Sequence, residues 1–77
     1  HAIVNAKSRI GKNCIINTKS NIEHGVKIGD FCHISTCAVI NGDSEVGKES
    51  FIGSNATISN GILIKENSII SAGKFIK

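Results

Sequence analysis

His24 and His33 are the residues of this chain best suited to moving protons near neutral pH. A free imidazole has a pKa of about 6.5, so it can take a proton from an attacking nucleophile and give it back. His24 follows Glu23, which sets a carboxylate beside it in sequence. Cys14, Cys32 and Cys37 are the other candidate nucleophiles. Three cysteines do not make a disulfide framework, and the spacing sets no histidine beside any of them. The chain has no Trp or Tyr, three Phe and a net charge of +3. That leaves no stacking platform for nucleic acid bases. The surplus of lysine suits a small anionic ligand.

The elements that must position these histidines are written in a repeat. Val4, Ile10, Ile16, Ile22, Ile28, Ile34, Ile40, Val46, Ile52, Ile58, Ile64, Ile70 and Ile76 recur every six residues without a slip. A helix would show a period near 3.6 and a strand a period of 2, so neither explains the pattern. A fixed short repeat is the mark of a solenoid. Four positions after each aliphatic stands a mostly small residue: Ser8, Cys14, Ser20, Val26, Cys32, Ala38, Ser44, Ser50, Ala56, Ile62 and Ser68. One large and one small inward residue per hexad suit a narrow prism walled by short strands. Cys14 and Cys32 fall in the small inward series, where they read as core filler.

The residue before each small one should turn a corner. Asn13, Gly25, Asp43, Asn55, Gly61, Asn67 and Gly73 stand there, types that tolerate a positive φ. Lys7, Lys19, Phe31, Cys37 and Glu49 do not fit, and so non-uniform corners are expected.

This pattern resembles the hexapeptide-repeat family from Val4 to Ile76. The resemblance implies an all-β fold, a left-handed parallel β-helix with three hexads per coil. That handedness opposes the usual right-handed crossover rule and comes from the family alone. Three hexads make an 18-residue coil, and the chain then holds about four coils in a single domain, 1–77. Residues 18 apart should share a column at roughly 4.8 Å spacing. Ile15, His33, Phe51 and Ile69 form one such outward column, apolar except for the histidine. Lys12, Asp30, Lys48 and Glu66 form another, alternating in charge. An outward apolar column on a short prism with open ends predicts self-association, with a homotrimer as the expected form.

Two segments sharpen the resemblance: Ile16-Asn17-Thr18 with Glu23-His24, and Ile28-Gly29-Asp30-Phe31-Cys32-His33. They are similar to the sugar-nucleotide acetyltransferases, the group with bacillosamine and perosamine N-acetyltransferases and the sialic acid O-acetyltransferase type. The resemblance implies acetyl-CoA as co-substrate and an amino group of a nucleotide-linked sugar as acceptor. It makes His24 the general base, Glu23 and Asn17 its polar neighbours, with Asn17 on the substrate side. His33 and Gly42 become acetyl-CoA-site residues. Gly25 stands where the group usually has an acidic residue. The group also usually carries an N-terminal sugar-nucleotide-binding domain, so this chain, starting at His1 and without Met, is expected to be the C-terminal part of a longer bacterial protein.

The residue types give a mechanism. An amine attacking a thioester must lose a proton, which His24 can accept. The oxyanion needs a fixed donor, and a backbone N–H such as that of Gly42 can supply it. Gly42 lies one 18-residue period beyond His24, so the repeat alone stacks the two. CoA is expected along a groove between subunits, near Ser54, Ser71, Ala72 and Gly73, which let it approach the backbone. Lys65, Lys74 and Lys77 stand where they could meet its phosphates; a solvated lysine-rich end is the competing reading. His24 and His33 are half a coil apart and should project from different sides of one prism. They can share a site only if His24 of one subunit faces His33 of the next.

Other readings stay open at this stage. One is a sugar O-acetyltransferase and another a non-catalytic trimeric module. A third is a γ-carbonic-anhydrase-like metal enzyme, which needs three histidine ligands where the repeat holds two beside terminal His1. No metal is expected. No hydrophobic run of membrane length and no signal peptide appear, so a cytoplasmic location is expected.

Overall fold

The computed structural model describes residues 2–77 and contains strands and turns without a helix among them. Every hexad yields one two-residue strand. In chain order these are β1 (Ile3–Val4), β2 (Arg9–Ile10), β3 (Ile15–Ile16), β4 (Asn21–Ile22), β5 (Lys27–Ile28), β6 (His33–Ile34), β7 (Val39–Ile40), β8 (Glu45–Val46), β9 (Phe51–Ile52), β10 (Thr57–Ile58), β11 (Leu63–Ile64), β12 (Ile69–Ile70) and β13 (Phe75–Ile76). Each pairs in parallel with the strand three further on. The result is three walls: β1-β4-β7-β10-β13, β2-β5-β8-β11 and β3-β6-β9-β12. The register is 18 residues throughout, as in Asn21 against Val39 and His33 against Phe51. This is the left-handed β-helix of about four coils that the repeat and the family resemblance together led one to expect. Its extents are 26 × 22 × 22 Å.

Strand residues alternate out and in, which is why the second residue of each pair is always Ile or Val. Ile22, Ile34, Ile40, Ile52 and Ile58 are fully buried. The inward series does not stay inside throughout: Val4 is 48% exposed, and Ile10, Ile16, Ile70 and Ile76 are half-buried. These lie in the end coils, where no further coil covers them. Lys74 occupies an inward position yet is exposed for the same reason.

The corners differ from the expectation of irregularity. All twelve positions from Lys7 to Gly73 adopt the left-handed conformation, and nine of them are not glycine. Phe31 has φ 59, Cys37 φ 61 and Glu49 φ 60, the same geometry as Asn55 at φ 61. A side chain there costs about 1–2 kcal/mol against the right-handed form. The corner hydrogen bond offsets it. The left-handed residue donates its N–H to a carbonyl of the preceding coil, as in Phe31 to Lys12 (3.0 Å), Cys37 to Thr18 (3.0 Å) and Glu49 to Asp30 (2.8 Å). Repeat geometry therefore overrides residue preference at Phe31, Cys37 and Glu49; Lys7 and Lys19, in the first coil, adopt the same φ without that bond.

The small inward residues form a second ladder. The Cys14 thiol donates to the Gly29 carbonyl at 3.1 Å, Cys32 to Gly47 at 3.2 Å and the Ser50 hydroxyl to Lys65 at 3.1 Å. Burial pushes the Cys32 thiol above its ordinary pKa. Both cysteines serve the core as serine does in neighbouring coils. Cys37 is half-buried at its corner. In the charged column, the Asp30 carboxylate accepts the Lys12 backbone N–H at 2.9 Å.

The corner geometry makes a prediction. Glu49 is exposed and left-handed, and asparagine occupies the equivalent corner at positions 13, 55 and 67. Glu49→Asn is expected to stabilise the chain by about 0.5–1 kcal/mol, because asparagine tolerates this conformation better. Urea unfolding of the two proteins side by side measures it.

Candidate active site

The corner between the β1-β4-β7 wall and the β2-β5-β8 wall carries His24 and Gly42. The strict register stacks them. The Asp43 N–H donates to the His24 carbonyl at 3.0 Å, and a methyl built on Gly42 would lie 3.3 Å from that same oxygen. The His24 side chain is exposed. The Gly42 N–H makes no backbone hydrogen bond among the described residues. His24 and Gly42 therefore sit on consecutive coils of one corner.

Glu23 does not hold His24. Its half-buried carboxylate accepts from the Asn21 amide at 2.6 Å and from the Asn5 amide at 3.1 Å. Asn5 lies one coil back in the same column, and Asn21 projects from the wall beside it. Glu23 thus turns along the wall, toward Asn5 and Asn21. Asn17 is also not a neighbour of His24 within the chain. It follows β3 at a different corner, where its side chain accepts the N–H of Thr18 at 2.9 Å.

His33 projects from the third wall, in the outward column Ile15, His33, Phe51, Ile69. Its ring meets that of Phe51 edge-on, with centroids 5.1 Å apart. Its Nε2 is buried and has no hydrogen-bond partner. Ile15 and Ile69 in this column are exposed, at 54% and 77%. Ser54 and the Ser71-Ala72-Gly73 turn lie at the corner after this wall, between β9 and β10 and between β12 and β13. That corner also holds Asn17. Lys74 and Lys77 are exposed at the same end, and Lys77 Nζ lies 5.9 Å from the Phe75 ring centroid. Lys65 turns a different corner, after β11.

One chain therefore presents two separate groups. His24 and Gly42 occupy one corner; His33, Asn17, Ser54 and the Ser71–Gly73 turn occupy another wall and its edge. No enclosed pocket joins them among the described residues. No cluster of three His, Cys, Asp or Glu side chains placed to hold a metal occurs among those residues either, and His1 lies outside them. Among the described residues no helix is long and apolar enough to cross a membrane.

Comparison with known proteins agrees with this architecture. Residues 7–42 match the family described as bacterial transferase hexapeptide (six repeats). Residues 45–77 match the hexapeptide repeat of succinyl-transferase. The fold is similar to the acetyltransferase domain of PglB from Neisseria gonorrhoeae FA1090 in complex with acetyl coenzyme A. That match has a TM-score of 0.92 and 29% identity, over 97% of this chain and 38% of the other. A second structure of the PglB acetyltransferase domain, from the same organism, matches with a TM-score of 0.89 at 24% identity, over 99% and 46%. This chain spans less than half the length of either. Hexapeptide-repeat families thus match this chain in two adjoining stretches, along nearly its whole length.

Sequence reasoning missed the Asn5–Glu23–Asn21 cluster. Its signal was present, since Asn5 and Glu23 are one coil apart. Glu23→Ala would strip the half-buried Asn21 amide of its acceptor. It is expected to cost about 1–3 kcal/mol of stability, read from the shift in thermal or urea unfolding.

Proposed function

We propose that this domain transfers the acetyl group of acetyl-CoA to an amino group on a nucleotide-linked sugar, with His24 as general base. The observation that carries the reading is the stack of His24 on Gly42: an exposed imidazole with an unbonded backbone N–H one coil away. The likeness to an acetyltransferase domain solved with acetyl-CoA supports the co-substrate. The acceptor class rests on the Glu23-His24 and Phe31-Cys32-His33 segments. The sugar-binding part of the site would belong to a domain that precedes this one.

The reaction needs no acyl-enzyme. The acceptor nitrogen attacks the thioester carbonyl carbon while His24 takes a proton from that nitrogen. The carbonyl oxygen gains the electron pair and is held by the Gly42 N–H. The pair returns as the carbon–sulfur bond breaks, and the imidazolium gives its proton to the leaving thiolate of CoA. His24→Ala is expected to lower acetyl transfer by about 10²–10⁴-fold with little change in stability. The assay follows CoA release from acetyl-CoA with a UDP-4-amino-sugar acceptor. Unchanged turnover would remove His24 from the role.

His33, Ser54 and the Ser71–Gly73 turn enter this site from a second subunit. The exposed column Ile15, Phe51 and Ile69 and the unpartnered His33 Nε2 support a homotrimer in which His33 faces His24 of a neighbour. Acetyl-CoA then lies in the groove between prisms. Mixing His24→Ala and His33→Ala chains tests the pairing. Random three-fold rings would rebuild an intact interface at about one site in four, and activity should return to about that fraction. A mixture as inactive as either variant alone would contradict a shared site.

A further inference from the structure

Charge in this chain is sorted by coil. The first coil carries Lys7, Arg9, Lys12 and Lys19, and no Asp or Glu stands before Glu23. Two of these cations flank the corner of His24. The Gly25 N–H donates to the Ala6 carbonyl at 3.3 Å, which sets Ala6-Lys7 beneath His24-Gly25. Arg9 opens the adjoining wall and pairs in register with Lys27 of the next coil. Their backbones are one strand spacing apart, about 4.8 Å. Lys7, Arg9 and Lys27 are all exposed. Like charges directly opposite on neighbouring strands destabilise a sheet, and an exposed outward position of a wall makes no demand for a cation. The nearby carboxylates of the same coil as His24 are engaged elsewhere. Glu23 accepts from the Asn5 and Asn21 amides, and Asp30, beyond the far end of the wall, from the Lys12 N–H. Asp43 and Glu45 belong to the coil above. A Cβ built on Gly25 would lie 2.5 Å from Asp43 Oδ1, and Glu45 follows Lys27 in the wall column. The sign of the surface therefore reverses around His24, with cations beside and below it and carboxylates above.

From this placement we propose that Lys7, Arg9 and Lys27 bind the diphosphate of the acceptor, a nucleoside diphosphate joined to the amino sugar. The Arg9 guanidinium can hold one phosphate bidentately, and the Lys7 and Lys27 ammonium groups meet the other as point charges. The bound anion removes the repulsion that the free chain carries between Arg9 and Lys27. The surface also gives the acceptor a direction. Its anionic end lies on the first two coils, and its amine, a cation until it gives up a proton, lies toward Asp43 and Glu45. His24 stands between the two. Acetyl-CoA has a diphosphate as well, but the groove proposed for it runs past Ser54 and the Ser71–Gly73 turn, in the last two coils. The inference rests on His24 being the base for a nucleotide-linked amine, and it adds what holds the acceptor's anionic end.

Arg9→Gln, Lys27→Gln and the triple variant Lys7→Gln, Arg9→Gln, Lys27→Gln are compared with the full chain. Lys48→Gln is the control, an exposed cation on another corner. The first readout needs no turnover: UDP, UMP and uridine are titrated against each protein and followed by backbone ¹⁵N shifts. The full chain should bind UDP more tightly than UMP and should not respond to uridine. Added salt should weaken UDP binding, and the triple variant should lose it. The second readout is kinetic. Each single variant should raise KM for a UDP-4-amino-sugar by about tenfold and leave kcat and KM for acetyl-CoA unchanged; Lys48→Gln should alter none of these. Removing a repulsion should leave the urea midpoint of each variant no lower than that of the full chain, which separates lost binding from lost folding. Equal UDP binding by the triple variant and the full chain, or none by the full chain, would overturn the proposal. A rise in KM for acetyl-CoA alone would also overturn it, by giving the surface to CoA. If His24→Ala turns over as fast as the full chain, the acetyl-transfer reading fails, while the UDP titration still decides whether the three cations hold a diphosphate.

Discussion

The hydrogen bond from one coil to the next is the interaction on which the rest of this structure depends. It recurs in two forms. Along the walls, strand N–H groups reach the carbonyls of the following coil, as in Ile15 to Cys32 at 2.9 Å and Asn17 to Ile34 at 2.9 Å. At the corners, the left-handed residue reaches the preceding coil. Together they lock each residue over the one 18 positions away. The aliphatic series fills the interior, but burial is non-directional and would tolerate a slip. A slipped register would leave a run of backbone groups unpaired, which burial cannot compensate. The fixed register is therefore a hydrogen-bonding result, and the left-handed Phe31, Cys37 and Glu49 are the strain it carries.

That register gives each functional group its address. Glu23-His24-Gly25 on one coil lies under Asn41-Gly42-Asp43 on the next. His24 and Gly42 are stacked from two short segments that no loop connects. The same rule explains why Glu23 bonds the Asn5 and Asn21 amides and not the neighbouring His24. Successive residues of a two-residue strand and its turn point in different directions, so adjacency in sequence is not adjacency of side chains. Stacking supplies the neighbours instead: Asn5 to Glu23 on one column, Asp43 to Gly25 on another.

The fold was legible in the sequence because a solenoid has few free choices: the period names the inward residues, and three hexads per coil name the columns. His24 over Gly42 and His33 against Phe51 followed from counting. What was not legible came from two physical causes. The chain ends lack a covering coil, so Val4 and Lys74 do not behave as their register positions suggest. Side-chain hydrogen bonds are decided by reach and competition. Nothing in the spacing shows that Asn21 claims the Glu23 carboxylate at 2.6 Å, or that Asp43 bends toward Gly25. Corner chemistry misled in the other direction. Lysine, phenylalanine and glutamate at Lys7, Phe31 and Glu49 argue against a positive φ as local propensities, and cooperative pairing with neighbouring coils prevails over them.

A prism of this shape also limits what one chain can do. Its walls are flat and its corners convex, so side chains at a corner diverge. A site that surrounds a thioester and excludes water needs convergence. Two prisms side by side provide it, because a corner of one can be set against a wall of the other. The two separate groups on this chain are suited to that arrangement: His24 and Gly42 stand on a corner, His33 with its apolar column on a wall. An imidazole nitrogen buried without a partner is costly in a lone chain. Beside a neighbouring corner it has a polar ligand within reach, and the apolar column around it has a surface to cover. In the proposed trimer, assembly and chemistry would become one problem, since the groove that would bury Ile15 and Ile69 would also seat the co-substrate.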